Sequence, residues 1–306
     1  MHGFLVAVGK AHIGQEAFIA ADQNRRGQGF GKLHGLPITA AGLPVQRVLC
    51  PLAMTEAPKI VTAAMLVIGN EILSGRTRDA NMHFLAGKLT ELGIRLREAR
   101  VVPDIEDTII AAVNELRGHY DYVFTSGGIG PTHDDITADC IARAFGVGID
   151  IHPEARRRLE AHYEAGMLNA ARLRMARIPD TATLIDNPVS AAPGFRIGNV
   201  MVMAGVPMIF QAMVASVAPT LTGGDRLLSR TVLALVPEGA VAEDLGALQK
   251  QYPDVDMGSY PAFRSGKAST AIVLRSTDKG RLDAAAEAMY AIFRRMGGEP
   301  FENEIV

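Results

Sequence analysis

The sequence predicts an α/β domain, a mostly parallel sheet sandwiched between helices, followed by a small α+β domain. Three observations predict it. Val61 to Ile68 (VTAAMLVI) is a continuous apolar run, the pattern of a strand buried on both faces. From Lys59 onward such runs alternate with amphipathic stretches across short turns, the order of a parallel sheet. Beyond Asp225 the order changes to β-α-β-β-α, that of a small α+β unit.

Each element has its own signal. Asn81 to Leu92 (NMHFLAGKLTEL) places Phe84, Leu85, Leu89 and Leu92 at helical spacing; Asn81 can cap this helix and Gly93 ends it. Ile94 to Val102 is a second strand, Pro103 breaks the pattern, and Ile105 to Leu116 is a second helix. Tyr120 to Phe124 (YDYVF) is a third strand, and Thr137 to Phe145 (TADCIARAF) returns to helical spacing. Pro153 to Ala165 is a helix whose Arg156, Arg157 and Arg158 splay around its axis as a solvated surface. Asn187 to Phe195 (NPVSAAPGF) is a turn-rich loop, Val200 to Ala204 (VMVMA) a last buried strand, and Pro207 to Ala215 a helix with Pro in its first turn. Pro219 to Asp225 (PTLTGGD) reads as a linker. The second domain, expected at 226–306, holds strands at 230–236, 256–260 and 269–275 and helices at 241–252 and 281–295.

Residues 1–53 read differently. They are rich in Gly, Ala and Gln, show no sustained alternation, and lack the pattern of a signal peptide. Met54 is read as the natural start, with the leader disordered or non-native and the first domain at 54–222. Asn24 to Lys32 (NRRGQGFGK) resembles the acyl-CoA pyrophosphate loop of N-acetyltransferases, but the strands and helix of that fold are not around it. A flexible Gly-rich segment is the reading kept.

The bulk numbers narrow the class. The 306 residues are 48% hydrophobic and 21% charged with a net charge of −2, which fits a globular protein without the basic surplus of a nucleic-acid binder. Cysteine occurs at two positions, Cys50 and Cys140, so neither a disulfide framework nor zinc spacing is present and a cytoplasmic location is expected. No apolar run reaches the ~18 residues of a membrane span.

The chemistry concentrates in Thr125 to Ala138 (TSGGIGPTHDDITA). Gly127, Gly128 and Gly130 fall on a strand-to-helix turn, where the backbone bends sharply and can approach a ligand. Thr132, His133, Asp134, Asp135 and Thr137 follow on the same turn. Bare amides beside carboxylates suit a phosphorylated ligand bridged by a divalent metal. One aspartate can cap the next helix while the other faces ligand or metal, and spacing does not rank them. Glu71, in Ile68 to Gly75 (IGNEILSG), follows the first strand and reads either as a capping acid or as the group that holds metal or water opposite Asp134 and Asp135. Asn81 is a helix cap or a ligand contact. His133 is a general acid or a spectator. Cys140 is expected to be a small buried residue. Both acidic turns follow strand carboxyl ends, so they share one rim of the sheet.

These residues resemble the molybdenum-cofactor-biosynthesis (MoaB/Mog-type, molybdopterin-binding) domain. Its signature Gly-Gly-x-Gly-x-x-x-x-Asp-x-Thr is matched by Gly127, Gly128, Gly130, Asp135 and Thr137. Within that superfamily the chain is most similar to the N-terminal domain of competence/damage-inducible protein A (CinA) and to the molybdopterin-binding-like domain of FAD synthase. The resemblance covers about 60–218 and rests also on IGNEILSG with Asn81 and on Asn187 to Phe195 with Gly205-Val206-Pro207. The tail resembles the small KH-like domain of CinA-type proteins. Asn70, Ser190-Ala191 and Ala204-Gly205-Val206-Pro207 depart from the usual pattern, the last two at the ligand rim.

The resemblance implies an α/β fold, often homo-oligomeric, and a small-molecule partner, a nucleotide or pterin phosphate. It implies Asp134, Asp135 and Glu71 at a divalent metal (Mg²⁺, Mn²⁺ or Co²⁺) and in catalysis. Gly127, Gly128, Gly130, Thr132, Thr137, Asn81, Asn187 and Gly194 would bind ligand or phosphate. Two activities stay open: a metal-dependent nucleotide pyrophosphatase of the ADP-ribose or FAD class, and a molybdopterin binder or adenylyltransferase. An RNA-binding tail is the weakest reading, since 226–306 lacks the Gly-x-x-Gly loop and a basic stripe.

Overall fold

The structure, a computed structural model, describes residues 59–264 and 266–302. The expectations for residues 1–53 therefore lie outside the described residues. Strand β1 (Val61–Ile68) explains the layering. Its alternate residues Ala64, Leu66 and Ile68 face one core, and Ala63, Met65 and Val67 face another. A sheet with apolar residues on both faces needs cover on both.

The chain supplies that cover in order. After β1 come a one-turn helix α1 (Asn70–Leu73), helix α2 (Asn81–Glu91) and strand β2 (Ile94–Val102). Helix α3 (Glu106–His119), strand β3 (Tyr122–Ser126) and helix α4 (Thr137–Phe145) follow. Helices α3 and α4 bury Ile109, Val113, Leu116, Cys140 and Ile141 against one face, while α2 buries Leu85 and Leu89 against the other.

A peripheral stretch comes next: β4 (Ile149–Ile151), α5 (Pro153–His162), α6 (Ala170–Leu173) and β5 (Arg177–Pro179), with β4 and β5 paired as a two-stranded sheet. On α5 the arginines expected at the surface pair with Glu160, Glu154 and Asp186. Strands β6 (Thr183–Ile185), β7 (Gly194–Ile197) and β8 (Val200–Met203) then return to the main sheet, and α7 (Pro207–Val217) packs Phe210, Met213 and Val214 beside α2. The strand order is β2-β1-β3-β8-β7-β6. Strands β2, β1, β3 and β8 are parallel, while β7 runs antiparallel to both of its neighbours, β8 and β6. The chain leaves β1 toward one side and returns as β3 on the other. The carboxyl ends of β1 and β3 therefore flank a topological switch point, where such sheets form a crevice.

The second domain is β9 (Leu228–Ala234), α8 (Glu238–Gln251), β10 (Asp256–Arg264), β11 (Lys267–Ser276), α9 (Lys279–Arg295) and β12 (Phe301–Glu302). Its sheet is antiparallel in the order β10-β11-β9-β12, with Val241, Leu248, Leu282, Met289 and Phe293 from the helices packed on it. No helix among the described residues is long and apolar enough to cross a membrane.

Three expectations are corrected. Asn81 does not cap α2; Asp79 accepts from the Met82 and Asn81 amides at 3.0 and 3.4 Å instead. The segment before Asp225 is a packed strap rather than a loose linker. Thr222 donates its amide to Tyr122 Oη at 2.9 Å, and the amides of Lys59 and Asp225 reach Asp225 Oδ2 and Lys59 O at 2.9 and 3.0 Å. The turn-rich loop at 187–195 ends inside β7, because its last residues pair with β8.

Cys140 is buried as expected, and burial pushes its thiol up to about 12. Several carboxylates lie below their usual range. The Thr62 amide and hydroxyl hold Asp121 there, the Arg281 guanidinium holds Asp254, and Arg230 holds Glu302. A depressed folded-state value contributes stability that is present above the unfolded pKa and lost as pH falls through the folded one. The melting temperature should hold from neutrality down to about pH 5 and fall below about pH 4, the ordinary carboxylate range. Asp121→Asn should flatten that fall in a melting series against pH. At the strap, a Cβ on Gly224 would stand 2.3 Å from Lys59 O. Gly224→Ala should lower stability by about 1–3 kcal/mol in a urea titration, the usual cost of overpacking.

Candidate functional site

The switch point carries a cleft of about 470 Å³, lined by the β3–α4 loop, Glu71, the Asn187 loop and the start of α7. Its floor is the loop built by the glycines. Gly127 commits its amide to Met203 O at 3.1 Å, which ties the loop to β8. Thr137, fully buried, donates its hydroxyl to Gly127 O at 3.0 Å and its amide to Gly128 O at 2.9 Å. Gly128 has φ +69°, and a Cβ there would meet Thr137 Oγ1 at 2.1 Å, so no other residue closes the loop this way. A Cβ on Gly130 would stand 2.6 Å from Asp135 Oδ2, so that glycine lets the carboxylate lie against the backbone.

Among the described residues the amides of Gly128, Ile129 and Gly130 bond to no acceptor, and all three residues line the cleft. Across from them, α7 begins without a side-chain cap at Val206 and Pro207, both in the cleft wall. The uncapped end of an eleven-residue helix adds a positive dipole and open amides to the same space. Sequence reasoning placed Gly205-Val206-Pro207 at the rim but missed this uncapped helix end. The signal was there: Pro at the first helical position with no Ser, Thr, Asp or Asn before it.

Glu71 and Asp135 line this cleft together, as expected. Glu71 accepts from Ser74 Oγ and the Thr77 amide at its backbone carbonyl, while its carboxylate makes no hydrogen bond or ion pair with another described residue. Asp135 Oδ2 accepts from the Thr132 amide and hydroxyl at 2.8 and 2.5 Å, leaving Oδ1 open. Arg174 donates to Asp135 O at 3.3 Å from the other side of the loop. Asp134 does not line the cleft. It points to solvent, 4.0 Å from an almost fully exposed His133, and bonding from Thr132 and its own amide holds it below the usual carboxylate range. Glu71, Asp134 and Asp135 therefore do not converge, and among the described residues no group of three or more His, Cys, Asp or Glu could hold a metal ion by itself.

The other expected contacts divide sharply. Both threonines brace the loop, Thr137 from a buried position and Thr132 from an exposed one. Asn187 accepts from the Val189 and Ser190 amides and donates to Ser190 Oγ and Ala192 O, so its amide has no valence left for a ligand. The loop it organises puts Ala191 at φ +60°, a left-handed position that L-residues enter at a cost of about 1–2 kcal/mol. Gly194 lies in β7, outside the cleft lining; a Cβ there would meet Val202 O at 2.5 Å. Asn81 is 97% buried and donates to Ser126 Oγ and Gly205 O, both at 2.8 Å, pinning α2 to the ends of β3 and β8. Asp104, not singled out in the sequence, reaches the same rim from the end of β2 and accepts from the Asn70 amide at 2.9 Å.

Open amides and a helix end attract an anion, yet Glu71 and Asp135 stand in the same cleft. Two like unit charges about 5 Å apart at an effective dielectric of about 20 repel by roughly 3 kcal/mol. A phosphate can sit there comfortably only with a cation or a proton. The far wall, with Met175, Ile209 and Met213, is apolar and suits a ring.

Comparison with known proteins agrees with this architecture. The family described as "Probable molybdopterin binding domain" matches residues 64–223, and "FAD synthase, middle domain" matches 226–296. Over 260 residues the chain is 32% identical to a Caenorhabditis elegans protein named "Probable FAD synthase", covering 76% of this chain and 50% of that one. Over 201 residues it is 39% identical to a CinA-like protein of Citrifermentans bemidjiense, covering 62% and 49% respectively. The crystal structure of CinA from Thermoplasma acidophilum, a protein described as of unknown function, matches 53% of this chain and 98% of its own at 34% identity and a TM-score of 0.50. The chain thus spans about half the length of the two named relatives.

Thr137→Val tests the loop. It keeps the shape, removes the hydroxyl, and leaves Gly127 O unpaired in a buried place. Urea unfolding should show a loss of about 1–3 kcal/mol, the cost of an orphaned buried acceptor.

Proposed function

Because the chain belongs to the molybdopterin-binding-domain family and is CinA-like within it, we propose that it is a metal-dependent nucleotide pyrophosphatase acting on ADP-ribose, FAD or a dinucleotide of that class. One observation carries the reading: open amides, an uncapped helix end and two carboxylates share one cleft that also has an apolar wall. A diphosphate with a ring attached uses all of these at once. The match of the tail to the FAD synthase middle domain supports a flavin or adenine nucleotide over other phosphates.

The roles follow from what each group has free. The amides of Gly128, Ile129 and Gly130 and the first turn of α7 bind phosphoryl oxygens. Asp135 takes a proton at Oδ1, the oxygen that Thr132 leaves open, as the water oxygen bonds to phosphorus. The bridging P–O bond breaks, and AMP and the second phosphate ester leave. The residues present fit a divalent cation: Glu71 would hold it, and Asp135 faces it across the cleft. When bound, such an ion neutralises charge on the diphosphate. Met175 and Ile209 pack the ring and exclude water from that end.

A second reading, that the chain binds a pterin phosphate without cleaving it, is favoured by the family match to residues 64–223. One experiment separates the two. The purified chain is incubated with ADP-ribose, FAD or NAD and Mg²⁺, Mn²⁺ or Co²⁺, and AMP is measured. Hydrolysis should appear with at least one substrate, and Asp135→Asn should lower kcat/KM by about 100-fold or more. No AMP from any substrate, with tight binding of a pterin phosphate, sinks the hydrolase and leaves the binder.

A further inference from the structure

A smaller pocket, about 50 Å³, lies behind Glu71 on the α2 side. Glu71, Thr77, Gly205 and Pro207 form the wall it shares with the large cleft. Its remaining polar lining comes from Asp79, Asn81 and Ser126, with Arg78 at the lip. Asn81 Oδ1 is buried there without a hydrogen-bond partner. The amide orientation is settled by Gly205: its carbonyl can only accept, so the nitrogen must face it and the oxygen must face the pocket. The other unpartnered buried side-chain atom among the described residues, Thr125 Oγ1, lines neither cavity.

The acceptors that border this space without a donor are the Glu71 carboxylate and Asn81 Oδ1. The Glu71 carboxylate has no ion pair or hydrogen bond among the described residues, and it folds back over Gly69, where a Cβ would stand 2.6 Å from both oxygens. The first α2 amides, those of Asn81 and Met82, are taken by Asp79, so the helix end presents a carboxylate rather than a bare dipole. Arg78 forms an ion pair with neither acid. A cationic guest would meet two carboxylates and the bare Asn81 oxygen here, and the space admits an ion with a water or two rather than an organic group.

We propose that this pocket is the resting seat of the divalent cation, held by Glu71 with Asn81 Oδ1 and Asp79, before any nucleotide arrives. The inference rests on reading the cleft as a metal-assisted site, but it differs in location from a seat between Glu71 and the glycine loop. One or two carboxylates with an amide oxygen and water make a set that Mg²⁺ and Mn²⁺ accept. The shared wall then matters: an ion on Glu71 borders the cleft where the phosphate binds.

Binding is measured on the full chain with Mn²⁺ alone, by electron paramagnetic resonance titration of free Mn²⁺ without nucleotide. Saturable one-site binding is expected. Asp79→Asn, which keeps an amide-accepting oxygen for the α2 cap, should weaken it about tenfold or more. Asp135→Asn should leave it within about twofold. Crystals soaked in Mn²⁺ should show anomalous density beside Glu71 and Asn81 Oδ1. The opposite pattern, with Asp135→Asn abolishing binding and Asp79→Asn sparing it, overturns the seat and returns the ion to the glycine loop. Absence of saturable binding overturns it too and leaves a buried water. Since no nucleotide is present, a failed hydrolysis assay and a failed binding titration are separate results.

Discussion

The closure of the β3–α4 loop on Thr137 is the constraint from which the site follows. Amides can face a ligand only if the carbonyls and side chains of the same loop face somewhere else. Here they face Thr137, Met203 and Thr132. Ordering the backbone of three glycines costs roughly 3–6 kcal/mol. The four hydrogen bonds from Gly127, from the hydroxyl and amide of Thr137, and from the amide of Thr132 offset roughly 2–6 kcal/mol of that. The loop is thus held at little net cost, with its three open amides fixed in place along the cleft.

Placement does the rest. The order β2-β1-β3-β8 puts the ends of β1 and β3 side by side, one carrying Glu71 and the other the glycines. A one-residue slip between these strands would turn the inward face outward. The dense apolar packing of β1 on both faces forbids that slip, so the spacing of Glu71 from the loop is fixed by the two cores. The antiparallel strands β7 and β8 then bring α7 back across the same opening. The strap at Thr222 to Asp225 closes the opposite end of β1 by bonding to Lys59 and Tyr122.

What the sequence made legible tracks how local each signal is. Strand β1 and helix α4 were read to the residue, because an eight-residue apolar run and a nine-residue periodic helix carry their own pattern. The α/β layering and the change to an antiparallel tail were equally readable. The three-residue strands β4, β5 and β6 were not, since so short a segment is defined by its distant partner rather than by its composition. The same limit applied at the site. A glycine loop and a nearby glutamate could be found from motif and spacing. The outward or inward aim of each polar atom could not. Gly127 and Gly128 are neighbours, yet one amide is tied to Met203 and the other is open. Asp134 and Asp135 are neighbours too, and only the second reaches the cleft.

Two asparagines expected to touch ligand make the point most directly. Asn187 uses both protons and both lone-pair directions within its own loop, so it shapes the rim without offering anything to a guest. Asn81 uses both protons on Ser126 and Gly205 but keeps its oxygen bare inside the protein. A bare buried acceptor costs about 1–3 kcal/mol, a sizeable part of the roughly 5–15 kcal/mol that separates folded from unfolded chains. A leucine of similar volume would remove that cost but also both ties. The amide is therefore the group that can hold the ends of β3 and β8 together and still leave one oxygen pointing at an acidic pocket. At this position the geometry that makes both ties also leaves the oxygen without a partner.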